Sequence, residues 1–102
     1  MAEQLKIVEG SALTAQQKKD LLNRLARIEG QLRGVQKLIA MAADPSDCDA
    51  VAQQMAAARK ALDRSFVQLL MATVVTGSEQ AGNVEEARAT AARLAALLDK
   101  FA

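Results

Sequence analysis

Residues 21–39 read LLNRLARIEGQLRGVQKLI. Leu21, Leu25, Ile28, Leu32, Val35 and Ile39 recur there at alternating spacings of four and three. That recurrence is a heptad seam, the pattern of a helix packed lengthwise against another helix. Upstream, Thr14-Ala-Gln-Gln17 has the form of a capping box, which starts the helix at Thr14. Arg24, Arg27 and Gln31 fall off the seam, on neighbouring faces of the same helix. Gly30 and Gly34 interrupt it at a cost in propensity, which points to a close backbone approach or a nearby ligand.

Working outward, the first helix must stop by Asp44-Pro45, because the residue before proline disfavours the α region. Ser46 with Asp49 is the expected cap of a second helix, which places Cys48 in its first turn. That helix continues through Val51, Met55, Ala58, Leu62 and Leu69 to about Val75, and Gly77-Ser78 is expected to end it. Asn83 and Glu86 form a third capping box. Val84, Ala87, Ala91, Leu94, Leu98 and Phe101 then make one stripe. The only aromatics are Phe66 and Phe101, and Pro45 is the sole proline, so composition also favours helix.

The expectation is an all-α protomer of two long antiparallel helices and a short third, at about 14–43, 47–76 and 83–101. They form a single helical domain, 14–102, behind a flexible N-terminal arm, 1–13. Two rods of about 40 Å plus one short helix cannot cover an apolar face on every helix. Yet residues 66–75, FVQLLMATVV, are apolar nearly all round, which calls for burial. The missing surface has to come from a second copy, as an antiparallel four-helix-bundle dimer that can pair again into a tetramer.

Total charge is nearly balanced, 13 Lys and Arg against 12 Asp and Glu. Its distribution is not. Lys18, Lys19, Arg24, Arg27, Arg33 and Lys37 share one segment with only Asp20 and Glu29, a local positive excess of the kind a phosphate backbone feels. With Cys48 the only cysteine, no disulfide can form within the chain. The opening MAEQLKIVEG lacks the apolar core of a signal peptide, and the longest uncharged apolar stretch, Ser65 to Gly77, falls short of the about 20 residues that span a bilayer. A cytoplasmic protein with no membrane partner is expected. Histidine, tyrosine and tryptophan are absent and the cysteine has no base partner, which removes most catalytic constellations. A small all-α enzyme of the chorismate-mutase kind would use arginines such as Arg24, Arg27 and Arg59 inside a bundle. Here the arginines lie off the seam, with no acid/base pair beside them. The other alternative is a helical oligomeric interaction module without DNA binding.

The elements Arg24-Leu25, Arg27-Ile28-Glu29-Gly30-Gln31 and Arg33-Gly34, followed by Cys48 and the run Ala58-Arg59-Lys60-Ala61-Leu62-Asp63-Arg64, resemble the first two helices of the CsoR/RcnR family of metal-sensitive bacterial repressors. The resemblance covers Lys18 to Gly77, with the third helix fitting in length and pattern only. It implies four-helix dimers that pair into disc-like tetramers and bind double-stranded operator DNA without a helix-turn-helix. Carried over by position, the DNA-binding side chains are Arg24, Arg27, Gln31 and Arg33 on the first helix and Arg59, Lys60 and Arg64 on the second. Such binding rests on phosphate contacts and weakens with salt.

At its sensor the sequence departs from the family. Copper and nickel sensors follow a cysteine at the start of the second helix, here Cys48, with a histidine and then a cysteine or histidine near its end. Those positions carry Thr73 and Gly77. A lone thiolate does not make a transition-metal site, so no metal cofactor is expected unless Cys48 recruits ligands outside the family's set. Relatives that respond to formaldehyde or sulfur species pair the cysteine with a second nucleophile. Here no second cysteine exists, and residue two is Ala2 where a proline would be required. The segment Ala42–Asp47 is also a few residues longer than usual. The resemblance leaves Cys48 as the candidate sensor of a thiol-reactive or small-molecule signal.

Overall fold

The structure, a computed structural model, describes residues 5–10 and 12–101, which leaves Ala2 outside the described residues. Three helices follow in order: α1 (Ala15–Met41), α2 (Pro45–Gln80) and α3 (Val84–Phe101). Among the described residues there is no strand, as the all-α reading expected. Helix α1 and α2 pack as a hairpin, and α3 packs on α2.

The start of α1 is as read. The Gln17 N–H donates to Thr14 Oγ1 at 3.1 Å, and Gln17 Oε1 accepts from the Thr14 N–H at 2.8 Å. Helix α1 stops at Met41 rather than 43, with Ala42 extended at φ −65°, ψ 128°. The cap of α2 is Asp44, not Ser46 with Asp49. Asp44 Oδ1 accepts from the Ser46 and Asp47 N–H groups at 3.0 and 3.2 Å and from the Ser46 hydroxyl at 2.6 Å. Asp47 Oδ2 reaches back to the N–H groups of Ala43 and Asp44 at 3.0 and 3.2 Å. Proline explains the difference. It ends one helix, but its preset φ and missing N–H also suit the first position of the next.

Gly77-Ser78 does not end α2, which runs on to Gln80. No glycine among the described residues has a positive φ, so Gly77 is not a left-handed cap. Instead a Cβ built on Gly77 would lie 2.7 Å from Cγ2 of Thr90, so the missing side chain makes room for α3. The third box is displaced by one residue. Asn83 Oδ1 accepts from the Glu86 N–H at 2.9 Å, while Glu86 Oε2 accepts from the N–H of Gly82, at 2.6 Å, instead of that of Asn83. At Gly30 and Gly34 no close approach is made within the protomer, since nothing comes within 4 Å of a Cβ at either, which leaves the alternative of a nearby ligand.

The core is thin. Leu21, Ile28 and Val35 of α1, Ala58, Ser65, Leu70 and Thr76 of α2, and Leu94 of α3 are buried. At the open end of the hairpin the Thr76 hydroxyl donates to Gln17 Oε1 at 2.9 Å, which ties the last turns of α2 to the cap of α1. The other half of the seam, Leu25, Leu32 and Ile39, is exposed, with Ile39 at 54%. The protomer measures 60 × 31 × 13 Å, with a radius of gyration of 18.0 Å. A compact chain of this length would have a radius of about 13 Å.

Candidate nucleic-acid interface and sensor positions

At about 100° per residue, Arg24, Arg27 and Gln31 share one flank of α1. Arg64 meets them from α2 because the hairpin is antiparallel. These four, with Ile28, Ala61 and Ser65, line a groove of about 210 Å³. None of its lining residues is acidic. The structure thus brings four of the seven candidate DNA-binding residues together, and leaves three outside the groove. Arg33 follows Arg24 by nine residues, about half a turn round α1. Arg59 is about 140° round α2 from Arg64, while Lys60 shares Arg64's stripe one turn earlier. Gln68, one turn beyond Arg64, was not marked by the sequence pattern, yet its Oε1 is buried without a hydrogen-bond partner among the described residues.

The hairpin has a second, different flank. Leu25, Leu32 and Ile39 on α1 and Met55, Leu62 and Phe66 on α2 are exposed apolar side chains at heptad-related spacings on the side away from the arginines. One side is therefore basic and the other oily.

Cys48 is exposed in the first turn of α2, where the sequence placed it. Thr73 is 25 residues further along the same helix, about 37 Å at 1.5 Å per residue. Its hydroxyl donates to the Leu70 carbonyl at 2.8 Å, and Gly77 packs on Thr90. Among the described residues no group of three His, Cys, Asp or Glu side chains is placed to hold a metal ion. One thiol, one committed hydroxyl and one absent side chain do not fit a transition metal.

A family model described as metal-sensitive transcriptional repressor matches residues 17–100. The chain belongs to that family. No curated protein and no solved structure matches it. The family match takes in α3, beyond the stretch that the motifs alone covered. It is a family of transcriptional repressors rather than of enzymes. No helix among the described residues is long and apolar enough to cross a membrane.

Proposed function

We propose that this repressor-family protein binds duplex operator DNA as a homodimer or homotetramer, and that its signal is not copper or nickel. The observation that carries the reading is the groove in which Arg24, Arg27, Gln31 and Arg64 converge without a carboxylate. Guanidinium groups fixed on two packed helices suit phosphate oxygens, since each can donate two parallel hydrogen bonds. Symmetry repeats the groove on every copy, so a nearly neutral protomer still builds a broad basic surface. Arg33, Arg59 and Lys60 lie outside the groove and are proposed as further phosphate contacts, Lys60 on the same stripe as Arg64. Cys48, exposed and the chain's only thiol, is the place where a thiol-reactive signal would act.

The test is a mobility-shift titration against the DNA upstream of the protein's own gene, wild type beside Arg24→Ala and Arg64→Ala. If about six phosphates are neutralised, affinity falls about a thousandfold between roughly 50 and 200 mM salt. Both variants should bind more weakly, with a shallower salt dependence. Cys48→Ser and alkylated wild type, run alongside, test the thiol. Unchanged isotherms for both would remove Cys48 from the signal path. An absence of binding at any salt would favour the interaction module that has kept the fold and lost DNA.

A further inference from the structure

Thr73 and Gly77 cannot hold a metal, but they do line a cavity. Between the C-terminal end of α2 and α3 lies a space of about 300 Å³, walled by Thr73, Gly77 and Gln80 on one side and Glu86, Thr90 and Arg93 on the other. That is at the lower end of the roughly 300–1,000 Å³ usual for small-molecule sites, room for a small metabolite and not for a polymer. The wall chemistry is polarised. Glu86 commits Oε2 to the Gly82 N–H and leaves Oε1 as an acceptor. The Thr73 hydroxyl has given its proton to the Leu70 carbonyl, so toward the cavity it too only accepts. Arg93 is a pure donor. It follows Glu86 by seven residues, two turns along the same stripe of α3, which separates the two charges by about 10 Å of helix axis.

We infer that this cavity binds a small zwitterion, its carboxylate on Arg93 and its ammonium group on Glu86 Oε1 with the Thr73 oxygen. Resting on the repressor reading above, the cavity is the entry point of a small-molecule signal, separate from the thiol at Cys48. The link to DNA is short. Thr76, beside Thr73 and Gly77 on α2, hydrogen-bonds Gln17 in the cap of α1. Ala12, two residues before the capping Thr14, lines the cavity itself. Arg24 follows Gln17 by two turns of α1. A ligand that draws α3 onto the end of α2 therefore acts on the cap that sets the start of the basic helix. It shifts DNA affinity only by as much as it prefers one setting of that cap.

Titration calorimetry of the full chain tests this, with 6-aminohexanoate as the probe and hexanoate and hexylamine as single-charge controls. Saturable binding of the probe is expected, about tenfold weaker in Arg93→Ala and with either control. Glu86→Gln keeps an oxygen for the Gly82 N–H while removing the charge, so it should lose ammonium recognition with helicity intact. No binding by wild type, or equal binding by Arg93→Ala, overturns the site. Mobility shifts with saturating probe then read the signal: an unchanged DNA affinity overturns that half of the inference. A chain that binds the probe and never binds DNA would sink the repressor reading and leave the cavity standing.

Discussion

Asp44 accepts from the Ser46 hydroxyl and from two backbone N–H groups, and Asp47 returns to the N–H groups of Ala43 and Asp44. Those bonds favour the charged forms. The Ser46 hydroxyl is the main reason that Asp44 titrates below the ordinary 3.8, and the Ala43 N–H is the main reason for Asp47. The sign follows from the depressed folded values. Both carboxylates contribute stability above the ordinary carboxylate pKa, and the contribution disappears as pH falls below 3.8 through the folded values. Wild type should therefore lose thermal stability in that acid range more steeply than Asp44→Asn, which still caps but no longer titrates there. Parallel melting curves for the two proteins between neutral and acid pH would remove this role from Asp44. The motif S-D-C-D was legible as a helix start, but its cap was misassigned by two residues. Pro45 reads equally as a stop and as a first helical position, and only the chain's path decides between them.

At the scale of elements, the seam was legible because a heptad needs no partner to be recognised, and Leu21, Ile28 and Val35 are indeed buried. Glycines were not, since the sequence does not say what approaches them. Gly77 reads as a stop, yet α2 passes through it to make contact with Thr90. Gly30 and Gly34 read as sites of close approach or of a nearby ligand, and within the protomer they face open space. The substitution Gly→Ala separates the two cases. At Gly30 the added methyl meets nothing, so Gly30→Ala should gain about 1 kcal/mol from helix propensity. At Gly77 the same gain is opposed by a β-branched side chain at 2.7 Å, which cannot swing aside freely. Gly77→Ala should therefore displace α3 and lower the melting temperature, and Thr90→Ala in the same chain should restore it. Calorimetric melts of the three variants decide the matter. A stabilised Gly77→Ala would mean that α3 yields at little cost. Arg24, Arg27, Gln31 and Arg64 were singled out by the family resemblance, and what the sequence could not show is that the antiparallel hairpin gathers these four into one groove. The α2–α3 cavity was not visible, since it depends on α2 outrunning its apparent stop.

The whole protomer exposes 7930 Å², where a compact protein of 10.9 kDa would expose about 5,600 Å². The surplus of roughly 2,300 Å² is comparable to what a protomer gives up in an obligate assembly. Exposed apolar side chains line one flank, where Leu32 and Leu62 are 49% and 51% exposed. The opposite flank carries Arg24, Arg27 and Arg64, which a partner could cover only by burying uncompensated charge. A second copy laid on the oily flank would bury Leu25, Leu32 and Ile39 and leave the basic groove open. Light scattering at micromolar concentration should accordingly return two or four times 10.9 kDa. Leu32→Glu should lower that mass and, because so thin a core depends on its partner, lower helicity with it. Arg24→Ala should leave both mass and helicity unchanged while weakening DNA binding, which distinguishes the two flanks. A fully helical wild-type monomer would overturn the two-sided reading, since the oily flank would then have to stand alone in water.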